Sequence, residues 1–266
     1  MSNNRGSSQG LTQKGSVCKK GPRVTDQFYT MIIPAFEATK QVLQTRAENL
    51  EAWTPKDQRI FSDIFGLEGD TSITIDYYLP LQRPDKNEKF HPLHIDITAH
   101  EFIKSGVNRM IDICNSLIIG TRIQEDSQIL YGNFINSTDR KDGSARIPPA
   151  QTLHINLNDQ KYKIDEYKNK SKVDILKAEY RDKITVEILQ NFTCKEKTGE
   201  QSHVSTICHE LSHLFIIRDG DQYYGGLSSD DLGKGRELSN AGELKTAHDK
   251  LVFKNAYNIE KYFEIN

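Results

Sequence analysis

The segment VSTICHELSHLFIIRDG, residues 204–220, decides how this chain is read. His209 and His213 stand four apart with Glu210 directly after the first, the spacing that sets two imidazoles on one face of a helix beside a carboxylate. A random arrangement of the chain's His and Glu residues produces His-Glu-x-x-His in only about 1–2 % of cases, so context decides its worth. On a helical wheel of about 100° per residue, His213 falls roughly 40° from His209. Val204, Ile207, Cys208, Leu211 and Phe215 gather at roughly 160–260° on the same wheel. The imidazoles therefore oppose the apolar stripe, and Glu210, at about 100°, sits to one side of them. The pattern points to a catalytic zinc site in which Glu210 is not a ligand but the base that takes a proton from water.

A catalytic zinc commonly has three protein ligands and one open position, so a third must come from elsewhere. Asp219 would serve the metzincin pattern, but the Gly that pattern needs for its turn is Ile216 here. Glu237 and Glu243 would serve the gluzincin pattern, yet neither follows an Asn. Asp221 follows Gly220, which can adopt the left-handed conformation that ends a helix and reverses the chain. From Ile217, four residues at up to ~3.5 Å each suffice to bring Asp221 back over the ~6 Å of helix that separates Ile217 from His213. The expected site is one Zn2+ on His209, His213 and Asp221.

Outward from this segment, apolar residues recur at helical spacing from Phe28 to Trp53, with Ile33, Phe36, Val42, Leu43 and Leu50 inward and Pro34 in the first turn. A shorter helix over Pro55–Phe65 should close at Gly66, and a longer one over Ala99–Leu117 should bury Phe102, Val107, Met110, Ile113 and Cys114. Thr71–Leu81, His94–Ile97 and the strictly alternating Gln151–Leu157 read as strands. Arg83–Lys89, Asn136–Arg146 and Lys161–Lys183 are polar or charged and read as loop or solvated helix. The fold class expected is α+β, mainly helical, with a small β-sheet and an active-site helix. His91, His94 and His100 read as surface or capping residues.

Composition limits the partners. The chain has 266 residues, with 35 basic side chains against 37 acidic, and this balance argues against nucleic acid or an anionic membrane surface. No apolar run approaches the ~18–20 residues of a membrane span. Residues 1–25 are polar, lack the apolar stretch of a secretory signal, and read as a flexible tail ahead of one domain over 26–266. The four cysteines at 18, 114, 194 and 208 contain no Cys-x-x-Cys pair; reduced thiols are expected, with a Cys114–Cys194 bridge as the alternative.

The motif followed by Asp221-Gln-Tyr-Tyr224-Gly225 resembles the aspzincin metallopeptidases, the deuterolysin and peptidyl-Lys metalloendopeptidase group. Their His-Glu-x-x-His is followed by Gly-Thr-x-Asp-Tyr-x-Tyr-Gly; Asp221, Tyr224 and Gly225 match it, while Gln222 and Arg218-Asp219 depart from it. The family's last helix is similar to Asn255-Ala-Tyr-Asn-Ile-Glu260-Lys-Tyr262-Phe263. The likeness covers 204–225 and 252–263 well and the rest loosely, with 70–98 as an insertion. It implies a zincin-like fold, Asp221 as third ligand, Tyr224 as the phenol that stabilises the oxyanion, and substrate-binding positions at Glu260 and Tyr257.

The function expected is a zinc-dependent endopeptidase acting on polypeptide substrates as a monomer, with Glu210 as general base. The competing readings are a zinc amidase or deacylase acting on small amides, and a zincin-like binding module without catalysis. The resembled family is mostly secreted, so export by a signal-independent route is favoured over a cytoplasmic location.

Overall fold

In the computed structural model, residues 27–79, 91–125, 128–138, 150–153 and 184–265 are described. Helix α1 (Phe28–Ala52) buries Phe28, Ile32, Ala35, Phe36, Thr39, Val42, Leu43, Arg46 and Leu50, a stripe set by the three-to-four residue period. Pro34 is not in the first turn but its seventh residue, where its missing N–H removes one bond of the helical ladder. Ile33, expected inward, is exposed, and Ile32 takes its place in the core. Helix α2 (Pro55–Phe65) has the expected ends. Thr54 and Asp57 form a capping box at its start, and Gly66 stops it at φ 72 with an N–H bond to the Ser62 carbonyl.

Strands β1 (Ser72–Tyr77) and β2 (Leu93–Thr98) pair antiparallel from Ser72 with Thr98 to Tyr77 with Leu93. β1 is shorter than the expected Thr71–Leu81 because Tyr78 leaves it to bridge Ile217. β2 runs into helix α3 (Ala99–Ser116), whose N-cap is Thr98 in a capping box with Glu101. His100 is no cap: it hydrogen-bonds the Leu50 carbonyl at 2.8 Å and packs on Trp53 with ring centroids 3.8 Å apart, tying α3 to α1.

A five-stranded sheet follows, in the order β3 (Arg122–Glu125), β4 (Gln128–Tyr131), β5 (Phe134–Ser137), β7 (Thr185–Leu189), β6 (Ala150–Leu153). β5 and β7 are parallel and the other pairs antiparallel. Asn136 and Ser137, expected in a loop, form the end of β5, where Asn136 is buried. β6 realises the start of the expected strand Gln151–Leu157, and 154–157 lie outside the described residues. The expected tail at 1–25, the loop Arg83–Lys89 and the charged stretch Lys161–Lys183 also lie outside them.

The last third carries helix α4 (His203–Ser212), the hairpin β8 (Ile217–Asp219) and β9 (Gln222–Tyr224), helix α5 (Glu237–Thr246) and helix α6 (Ala256–Tyr262). Buried apolar residues from α1, α2, α3, α4, α6, β1 and the five-stranded sheet join in one cluster. Phe61, Phe65 and Phe253 stack within it at centroid distances of 4.7–6.0 Å, each contributing about 1.5–3 kcal/mol by burial. The class is α+β, with about half of the described residues helical. No helix among the described residues is long and apolar enough to cross a membrane.

Cys114 and Cys208 are free, buried thiols. Burial raises the pKa of both, that of Cys114 to about 12, which leaves them protonated and inert. Cys194 is disulfide-bonded and Cys114 is free, so the expected thiol at 194 and the Cys114–Cys194 alternative both give way.

Candidate metal centre

Helix α4 starts where the Ser202 hydroxyl accepts from the Ser205 N–H at 3.1 Å. Every residue from His203 to Ser212 is buried, so this is a central helix and not the one-sided helix the wheel suggested. It ends at Ser212, well short of Gly220, because another segment takes over its C-terminal carbonyls. Leu227 N–H and Ser229 N–H both donate to the Ser212 carbonyl, at 3.0 and 3.1 Å, and Gly226 N–H donates to that of Leu214 at 3.0 Å. Gly226 has to be glycine, since a Cβ there would run into the Leu211 carbonyl oxygen. Arg109, buried on α3, grips the Gly226 carbonyl with Nε at 3.2 Å and Nη2 at 2.7 Å. The Ser212 and Ser229 hydroxyls meet at 2.6 Å.

This return loop brings an unanticipated carboxylate to the imidazoles. Asp231 Oδ1 lies 3.1 Å from His209 Nε2 and 3.7 Å from His213 Nε2. His209, His213 and Asp231 each offer one ligand atom, and those atoms lie within 4.8 Å of one another. No other such group occurs among the described residues. The remaining ring nitrogens are held from behind: His213 Nδ1 by the Ser229 carbonyl at 2.9 Å, and His209 Nδ1 by Glu260 Oε2 at 3.1 Å. Both acceptors hold the rings by Nδ1 and so turn both Nε2 atoms toward Asp231, where a bound metal would take the place of the Nε2 proton of His209. Two imidazoles and a carboxylate are a donor set suited to zinc, and Asp231, half-exposed, leaves a side open to solvent.

The expected third ligand is elsewhere. Asp219 pairs with Gln222 across the β8–β9 hairpin, which makes Gly220 and Asp221 its two-residue turn. Gly220 takes φ 63, the positive value such a turn demands at its first central position. Gly220 thus does not end α4 at all, and Asp221 is exposed on the turn, outside the metal-binding group. Asp231 replaces it, ten residues on. Glu237 and Glu243 lie on α5 and are not in the group either; Glu243 pairs with Arg236 at 3.0 Å.

The other anticipated residues divide. Glu210 is buried on α4, and its charge acts on His209, Lys195 and Tyr257. Tyr224, on β9, donates its hydroxyl to Gln222 Oε1 at 2.5 Å, and the charges it feels are those of Asp219 and Asp112, not those of the metal group. Tyr257 lies edge-on to His209, with ring centroids 4.8 Å apart. Glu260 is buried, accepting from Ser205 Oγ at 2.9 Å as well as from His209, so it has no face for a substrate side chain.

Electrostatics follow from this packing. Burial pulls the His209 pKa down, but hydrogen bonds to Asp231 and Glu260, with the charges of Glu260 and Glu210, outweigh it and push it up to about 10. Burial opposes ionisation of Asp231 and Glu260, yet their bonds to His209 prevail and hold both below the usual carboxylate range. Burial, then Asp231 and Glu260, raise the Tyr257 phenol, which stays protonated. Comparison of the chain with protein-family models, with curated proteins and with solved structures found no match.

Proposed function

We propose that this protein is a zinc-dependent endopeptidase whose metal is held by His209, His213 and Asp231. The observation that carries this reading is the convergence of His209 Nε2, His213 Nε2 and Asp231 Oδ1 on one point, with Glu210 on the same helix. The resemblance to aspzincins supports it in a particular way: that family's third ligand is an aspartate, and an aspartate completes this group, carried on a different segment. His209, His213 and Asp231 would hold a zinc ion, which when bound would supply Lewis-acid polarisation of water and of a peptide carbonyl. Glu210 takes the water's proton and hands it to the departing amine. Tyr257 is the better phenol for the oxyanion than Tyr224, because its ring packs on His209.

Metal content and proteolysis together test the reading. The purified protein should carry about one zinc per chain and cleave casein, and Glu210→Gln should keep the zinc while losing roughly 100- to 10,000-fold in kcat. Zinc binding without cleavage of any protein or peptide would sink the peptidase assignment. Absence of zinc binding would sink the site.

A further inference from the structure

The C-terminal helix α6 contributes a carboxylate that sequence resemblance assigns to substrate binding, but its surroundings give it another task. Glu260 is buried against α4, and both of its oxygens are taken, Oε1 by the Ser205 hydroxyl at 2.9 Å and Oε2 by His209 Nδ1 at 3.1 Å. Lys195, half-buried beside the 3₁₀ turn Gln190–Cys194, supplies a positive charge that Glu260, Glu264 and Glu210 share. A charged carboxylate of this kind, buried and fully partnered, is expensive to keep unless it does something for its neighbours. What it does for His209 is geometric. The imidazole can rotate and carry its proton on either nitrogen; the bond to Oε2 fixes both, so that Nε2 faces His213 and Asp231.

We propose that Glu260 is a positioning residue of the metal centre, fixing the orientation of His209, and that it takes no part in substrate selection. This inference rests on the reading of His209, His213 and Asp231 as metal ligands. It makes α6 part of the site's back wall: the last helix of the chain is linked to the metal through one carboxylate and one imidazole. His213 has only a backbone carbonyl in the corresponding place, so the two ligands are not supported equally.

The test uses the full chain and Zn2+ alone, with affinity measured by competition against a chelator. Glu260→Gln has the same shape and can still accept from Nδ1–H, but lacks the charge; it should lower Zn2+ affinity about 10-fold, and Glu260→Ala by up to about 100-fold. Cobalt loaded in place of zinc gives a readout that a purely structural role would not move, because the visible bands of Co2+ report the ligand field at His209. Those bands should shift in Glu260→Gln while far-UV circular dichroism stays that of the unaltered protein. If Glu260→Ala does not fold, the isosteric Gln variant settles the question. A folded Glu260→Gln protein with unchanged Co2+ bands and Zn2+ affinity within twofold of the parent would overturn the positioning role and leave the metal centre standing. A parent protein that takes up neither ion would overturn the metal centre, and the positioning role with it.

Discussion

At the scale of single residues, two aspartates ten positions apart separate the site expected from the sequence from the site the fold builds. Asp231 meets both imidazoles, whereas Asp221 faces solvent on a hairpin turn. Asp231→Ala should therefore weaken Zn2+ binding by more than the roughly 10–100-fold that loss of an outer-sphere partner costs, while Asp221→Ala should leave it unchanged. Chelator competition on the two variants measures both; equal losses, or a loss in Asp221→Ala alone, would restore the shorter spacing. His209, Glu210 and His213 were legible because a helix fixes residues one and four apart on its own surface, with no help from the rest of the fold. Asp231 was not legible in that way, since its place depends on where another segment crosses the end of α4. One local signal points the right way: Gly220-Asp221 between Ile216-Ile217 and Tyr223-Tyr224 is hairpin-turn chemistry, and it sets Asp221 on a turn.

At the scale of elements, what matters is how helices stop. α2 was read to the residue because Thr54, Asp57 and Gly66 carry its ends in their own side chains and backbone freedom. α4 ends earlier than its sequence suggests because its stop is tertiary: the N–H groups of 226–229 satisfy the carbonyls that further helix would have used. Pro34 was read too early for the related reason that the start of α1 is set by packing, with no side-chain cap to announce it. Gly226 is the point on which this arrangement turns. Gly226→Ala forces the new methyl against the Leu211 carbonyl and should cost about 1–3 kcal/mol. For a protein of this size that is a fall in Tm of roughly 2–12 °C. Because the displaced loop carries Asp231, zinc affinity should fall alongside. Calorimetry paired with metal titration checks both, and a lower Tm with undiminished affinity would mean that the loop does not aim the ligand.

For the whole molecule, the buried charges give stability a distinct dependence on pH when metal is removed. His209 has its folded pKa raised from 6.5 to about 10, so its contribution is complete below pH 6.5 and is lost as pH rises through about 10. Glu260 is shifted down from 4.5 and Asp231 from 3.8, so theirs is complete above pH 4.5 and is lost as pH falls through their folded values. The triad thus supports the metal-free fold most fully between pH 4.5 and 6.5. Thermal melts in chelator should show the largest Tm gap between the parent protein and His209→Gln inside that window, narrowing on both sides. A gap that stays constant with pH would refute the charged triad. The α+β class and the long helices are legible at this scale from periodicity, because one core absorbs the apolar faces of α1, α2, α3, α4 and α6. The disulfide at Cys194 was not, since no spacing in the chain distinguishes it from the thiols at 114 and 208.

The handshake between Ser212 and Ser229 has a consequence for recognising such centres in other chains. The hairpin between the second histidine and the aspartate pairs Ile217 with Tyr224 and contributes no residue to the group of His209, His213 and Asp231. What positions the two residues is the pair of clasps on either side of it: a serine just before the second histidine, and a glycine three residues ahead of the serine that meets it. A pattern written as His-Glu-x-Ser-His, any interval, then Gly-x-x-Ser-x-Asp follows the physics of this site, where a pattern written with a fixed interval would pass it by.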